Sequence, residues 1–207
     1  MPIDTIVFDF GGVLIDWNPR YLYRKLIADE QQMEWFLSNV CTDEWNVQQD
    51  KGRSFAEATS VLQNQFPDHK DLIAMFYGRW EEMLNGEISE SVAILRELKD
   101  KHYKLYGLTN WSTESFPIAK ERYEFLNLFD GILVSGEEKL IKPDPAIFHL
   151  LLKRYNLTPE TCVFIDDNLN NVKAASSLGF TAIHFQSGAL LRDKLVELNV
   201  LADENVA

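Results

Sequence analysis

The sequence predicts an α/β fold in which a parallel β-sheet is covered by helices on both faces. Three observations carry it. Five short apolar runs recur along the 207 residues, helix-period segments separate the later ones, and one long stretch after the first run breaks the alternation.

The first run, Thr5-Ile6-Val7-Phe8, has the β-branched and aromatic content of a buried strand and delivers Asp9 into a sharp Gly11-Gly12 break. From residue 17 to about 86 no convincing β-branched run occurs. Apolar residues there keep helical spacing instead: Tyr21, Leu22, Leu26; Trp35, Phe36, Val40; Phe55, Ala58, Val61, Leu62; Leu72, Met75, Phe76, Trp80. This stretch reads as a compact all-helical insertion closing near Gly86. Its first helix opens with Asn18 as N-cap and Pro19 at the first helical position. A helix over Val92–Leu98 then precedes the run Leu105–Leu108, and the run Gly131–Val134 precedes a helix starting after Pro145. The run Cys162–Ile165, a helix over Asn171–Ala175 stopped by Gly179, and the run Thr181–His184 complete the pattern. The organisation expected is a core of residues 1–16 and 87–207 with a helical cap over 17–86. The tail "LADENVA" reads as a frayed end.

Composition sets further bounds. Hydrophobic residues make up 46% and charged residues 25%, with five Trp, thirteen Phe and seven Tyr, which is ample core material for one domain. A formal charge of −12 with no offsetting Lys/Arg cluster argues against nucleic-acid or anionic-membrane surfaces. Cys41 and Cys162 are too few and too separate for a disulfide framework or zinc knuckle, and Cys162 lies within an apolar run. With no signal-peptide pattern and no membrane-length apolar run, a cytoplasmic protein is expected.

Ligands of an open parallel sheet bind at the carboxyl ends of its strands. The polar residues falling there are Asp9, then Thr109-Asn110 in "YGLTNWS", then Asp166-Asp167 in "VFIDDNLNN", with Lys142 in the loop "KLIKPDP". Taken singly, each is an ordinary turn, cap or surface residue. Taken together on one sheet edge, three carboxylates repel unless a cation joins them, and hard oxygen ligands suit magnesium.

These motifs, "DFGGV", "LTN", "KPDP" and "DDNLNN", resemble those of the haloacid dehalogenase superfamily, particularly its subclass with a helical cap after the first strand. The resemblance covers essentially the whole chain and implies a Rossmann-like core. By it, Asp9 is a nucleophile that forms an aspartyl-phosphate, Thr109 binds the phosphoryl group with Asn110 beside it, and Lys142 neutralises charge on both. Mg2+ is held by Asp9, the backbone carbonyl of Gly11 and Asp167, supported by Asp166 and Asn171. The glycine pair lets that carbonyl face the metal. Arg20 is a candidate grip on an anionic substrate, although helix entry alone explains its setting. Trp111 is a candidate for substrate stacking, with packing as the alternative. The four histidines stand apart from the motifs.

One departure matters. Phosphatases of this superfamily usually carry a second Asp two residues after the nucleophile, as general acid and later base, and here that position is Gly11. Losing a general acid costs roughly 10²–10⁴ in rate. The leading expectation is a Mg2+-dependent phosphatase acting on a small, sugar-phosphate-like metabolite. The alternatives are a 2-haloacid dehalogenase-type hydrolase, whose halide leaves without a proton, and a non-catalytic phosphate-binding protein.

Overall fold

The computed structural model describes residues 2–202. In chain order its elements begin with β1 (Thr5–Phe8) and β2 (Ile15–Trp17), followed by the helices α1 (Arg20–Tyr23), α2 (Glu30–Asn39), α3 (Asp43–Asp50), α4 (Phe55–Gln65) and α5 (Lys70–Gly78). Then come β3 (Leu84–Glu87), α6 (Ser89–Asp100), β4 (Lys104–Thr109), α7 (Phe116–Arg122), β5 (Gly131–Val134), α8 (Ser135–Glu138) and α9 (Pro145–Tyr155). The chain continues through β6 (Cys162–Asp166), α10 (Leu169–Ser177), β7 (Thr181–His184) and α11 (Gly188–Glu197).

The five expected strands form one parallel sheet in the order β5-β4-β1-β6-β7. Alternation along the strands divides the core. Ile6, Phe8, Val163 and Ile165 face one side with Leu95 and Leu98 of α6 and Leu191 and Leu195 of α11. Val7, Cys162 and Phe164 face the other with Ile147, Phe148 and Leu151 of α9. Burial on both faces explains why these strands read as continuous apolar runs. Leu201, expected in a frayed tail, is buried, and its N–H bonds to the carbonyl of Leu195. The rest of that tail, residues 203–207, lies outside the described residues. Among the described residues no helix is long and apolar enough to cross a membrane.

The segment between β2 and β3 is helical, but the two strands themselves were not expected. They pair antiparallel, Ile15 with Glu87 and Asp16 with Gly86, and bring the chain's exit from the helices back beside its entry. Asp29, Thr42 and Ser54 cap α2, α3 and α4 by accepting the N–H of Gln32, Trp45 and Glu57. α1 starts one residue later than expected, with Pro19 rather than Asn18 as its N-cap, and Asn18 accepts the N–H of Arg20 from outside the helix. Inside, Tyr23, Phe36, Trp45 and Phe76 pack together, and the Tyr23 hydroxyl donates to the Leu72 carbonyl. Two residues of the expected apolar stripe face out: Trp35 is 50% and Val61 42% exposed. On α2 the inward face is Met33, Phe36 and Leu37, an i, i+3, i+4 set that turns Trp35 away against the ring of His69.

The turn after β1 is tight. Leu14 and Ile15 both donate to the Phe10 carbonyl, and Gly12 donates to that of Ile15. Its two glycines differ physically. Gly12 has φ +72°, and a Cβ there would stand 2.3 Å from Oδ2 of Asp167. Gly11 has no such φ, and a Cβ on it meets no heavy atom within 4 Å. The position with the strict backbone demand is therefore Gly12. Gly12→Ala is expected to lose about 1–3 kcal/mol in urea unfolding, whereas Gly11→Ala stays within about 1 kcal/mol of the unmodified protein. Equal losses at both positions would contradict this division.

Candidate active site

Three adjacent strands assemble the site. Phe8 at the end of β1 pairs with Gly107 of β4 and Ile165 of β6, so Asp9 emerges level with Asp166 and next to Thr109. Asp9, Asp166 and Asp167 each present an oxygen within 4.8 Å of the others, a cluster able to hold a metal ion.

The buried ammonium of Lys142 enters between two of these acids, 2.9 Å from Oδ1 of Asp9 and 2.7 Å from Oδ2 of Asp166. Its loop is held from behind. The Asn110 side-chain amide donates to the Lys142 carbonyl (3.0 Å), and its oxygen accepts the Lys142 N–H (2.9 Å). Both functional ends of Asn110, expected beside the phosphoryl group, are thus engaged in fixing Lys142.

The acids are unequal. Asp166 is fully buried and saturated, accepting from Lys142 Nζ, the N–H of Asn168 and Nδ2 of Asn171. Asp9 accepts the N–H of Phe10 and the lysine on Oδ1, leaving Oδ2 without a hydrogen bond among the described residues. Asp167 is exposed as a residue, but its carboxyl lies against Gly12. Burial pushes the Asp9 carboxyl up to about 7; Lys142 opposes the rise, and Asp166 and Asp167 add to it. Burial against the cluster and the charge of Asp166 also raise Asp167. Burial alone would lower Lys142, but Asp9 and Asp166 outweigh it and hold the ammonium charged.

Thr109 is 1% exposed, and among the described residues its hydroxyl has no partner, an orphaned buried hydrogen-bonding group at the carboxyl end of β4. Beside it lies a cavity of about 100 Å³ with Gly11, Asn110 and Trp111 on the sheet side and Trp17, Tyr77 and Trp80 among its aromatic walls. Trp111 packs into the core and also borders the cavity. Its indole N–H donates to Ser115 and its ring packs edge-on against Trp80. Arg20 is not brought to the acid cluster, because its guanidinium makes two 2.6 Å bonds to Glu34.

Two residues near the site escaped sequence reasoning. His184 at the end of β7 pairs with Asp166 in register, and its Nε2 lies 2.9 Å from the Asp167 carbonyl. Asp50, the last residue of α3, lines the cavity. His184 ends the fifth strand and could have been read from that position; nothing local marks Asp50.

The lysine makes a testable demand. Lys142→Met leaves Asp9 and Asp166 buried without a counter-charge and is expected to cost about 3–5 kcal/mol at pH 7.5. Asp9 already binds its proton more tightly in the fold than in the unfolded chain, so its proton stabilises the fold at low pH. That contribution is lost as pH rises towards about 7. Without the lysine this effect grows, so the variant's deficit should shrink at pH 5.5. A deficit equal at both values in chemical denaturation would show that charge compensation is not its role.

The model of the haloacid dehalogenase-like hydrolase family matches residues 3–179. The chain is 30% identical to the sesquiterpene phosphatase astK of Aspergillus oryzae, over 86% of this chain and 87% of that one. It is 26% identical to the phosphorylated carbohydrates phosphatase of Thermotoga maritima, over 88% and 84%. In fold it is similar to a HAD-family enzyme of Bacteroides thetaiotaomicron crystallised with magnesium and inorganic phosphate, with TM-score 0.68, 24% identity, and 90% and 96% of the two chains covered. With the motif order, the parallel sheet and the clustered acids agreeing, the chain belongs to the haloacid dehalogenase-like hydrolases.

Proposed function

We propose that this hydrolase is a Mg2+-dependent phosphatase that cleaves a small phosphorylated metabolite through an aspartyl-phosphate on Asp9. The observation that carries the reading is the division of labour among the acids. Asp166 is consumed in holding Lys142, while Oδ2 of Asp9 and the carboxyl of Asp167 stay open beside the orphaned Thr109 hydroxyl. When ionised, the three carboxylates exceed the single ammonium by two charges, and their hard oxygens fit a divalent cation. Asp9, Asp167 and the Gly11 carbonyl would hold it, and bound Mg2+ supplies charge neutralisation and polarisation of the phosphoryl group.

The chain's own groups do the rest. An oxygen of the Asp9 carboxylate attacks phosphorus. The Thr109 hydroxyl donates to a phosphoryl oxygen, and the Lys142 ammonium balances charge shared between Asp9 and that oxygen. Asn110 keeps Lys142 in place. The helical segment 17–86 acts as a cap, since it contributes Trp17, Tyr77 and Trp80 to a cavity whose floor is core residues. The phosphatase relatives and the magnesium–phosphate complex of the structural neighbour support this reading.

A 2-haloacid fits less well. Its carboxylate would face the open acids at about 4 kcal/mol per close pair for an effective dielectric near 20. A protein that only binds phosphate would have no need of a carboxylate oxygen left free beside a buried lysine.

Asp9→Asn is expected to lower turnover of phosphomonoesters by more than about 10³-fold with the far-UV circular dichroism unchanged; substantial residual turnover would remove the covalent mechanism. EDTA should abolish activity and added Mg2+ restore it. Mg2+ should also raise the thermal midpoint more at pH 7.5 than at pH 5.5, because it needs Asp9 and Asp167 ionised and both are raised. Halide release from 2-haloacids persisting in EDTA would favour the dehalogenase instead.

A further inference from the structure

Gly11 provides no side chain to protonate a leaving group, and the space above it is open. Among the described residues, one carboxylic acid lines the cavity that Gly11 lines: Asp50, at the end of α3. Four of the other polar side chains on its walls are already engaged. Asn110 is bonded to the Lys142 backbone, the Tyr77 hydroxyl to Asn46 and Gln49, Ser115 to the Trp111 indole, and the Ser112 hydroxyl to the Glu114 N–H. Asp50 itself is tied to the core. The Ser112 backbone N–H acts on its carboxyl, and its carbonyl accepts the Ser135 hydroxyl, which in turn accepts the Trp111 N–H. The end of an insertion helix is thereby fixed to the loop that follows Thr109.

We propose that Asp50 is the general acid and base of this site, replacing from the helical insertion the carboxyl absent at Gly11. The assignment rests on the phosphatase reading above. As the Asp9 oxygen bonds to phosphorus, the ester P–O bond breaks and its electron pair goes to the leaving oxygen, which takes the Asp50 proton and departs as the alcohol. The Asp50 carboxylate then takes a proton from the water that attacks the aspartyl-phosphate, releasing inorganic phosphate and restoring both carboxyls. Burial pushes Asp50 up to about 7, against the pull of the Ser112 N–H, which suits a group that must both give and take a proton near neutral pH. The titratable groups around it do not interfere. Burial keeps Tyr77 of α5 neutral, and the Arg53 guanidinium is turned to the Gln49 side chain and the Trp45 carbonyl.

The test compares 4-nitrophenyl phosphate and benzyl phosphate, esters of similar size whose leaving groups have pKa values of about 7 and about 15. With Mg2+ present and chemistry rate-limiting, Asp50→Asn is expected to lower kcat/KM for benzyl phosphate by about 10²–10⁴-fold, but that for the nitrophenyl ester by less than about tenfold. Equal losses on both esters, or none on either, would overturn the assignment and leave Asp50 a contact between α3 and Ser112. If the Asn variant does not fold, the unmodified protein decides: a shallow dependence on leaving-group pKa supports a built-in acid, and a steep preference for the nitrophenyl ester refutes it. A protein that hydrolyses neither ester fails as a phosphatase, and the Asp50 assignment falls with it.

Discussion

The buried ammonium of Lys142 is the constraint on which the rest of the site depends. A lone ammonium or carboxylate out of water costs several kcal/mol even after relaxation. Each contact of Lys142, at 2.9 Å to Asp9 and 2.7 Å to Asp166, returns roughly 6 kcal/mol at an effective dielectric near 20. One lysine facing two acids recovers more than a single pair would, yet the two carboxylates repel each other and Asp9 is still pushed up to about 7 by burial. The surroundings supply the remaining bonds: Asn171 and the Asn168 N–H on Asp166, the Phe10 N–H on Asp9, and Asn110 on the lysine backbone. A buried pair is stabilising only when so fully bonded, and here, among the described residues, Oδ2 of Asp9 is a carboxylate oxygen of the pair without a hydrogen bond.

That economy explains which parts of the molecule were legible in its sequence. Strands buried on both faces must be apolar throughout, so Thr5–Phe8 and Cys162–Asp166 announce themselves, and the acids at their ends stand out against the apolar runs. The β2–β3 ribbon did not, because Ile15–Trp17 and Leu84–Glu87 are short, half-exposed and mixed in character. Trp35 was misplaced because a helical stripe is defined only to within one residue until its partner is known. The two bonds of Asn110 to the Lys142 backbone left no trace in the sequence, since they depend on a loop 32 residues away. The glycine pair shows the same limit: "GG" marks a turn, but only the coordinates separate Gly12, pressed against Asp167, from Gly11, which has room to spare.

Asp50 was illegible for a deeper reason. Its sequence setting, at the polar end of an amphipathic helix, is that of an ordinary solvated acid. What makes it unusual is burial created by residues distant in sequence, Ser112 and Ser135 among them. A catalytic group on the strand next to the nucleophile leaves a fixed spacing to find; one on an inserted helix leaves none. Moving that function from Gly11 to the insertion would also couple chemistry to the docking of the helices, because Asp50 reaches the cavity only when α3 is joined to the core loops.

The chain's overall charge sharpens this picture. At −12 the protein repels a phosphate ester at long range, yet screening limits that field to about 8–10 Å at physiological ionic strength. Within that distance the local balance decides, and Lys142 alone cannot tip it, because its charge is already spent on Asp9 and Asp166. The acid cluster therefore needs its divalent cation for two purposes: to relieve its own repulsion, and to make this corner of an acidic protein attractive to an anion. On the proposed mechanism, substrate affinity and the ionisation of Asp9 would then be linked through the same ion, since the charge that would draw a phosphoryl group in would also favour the ionised carboxylate.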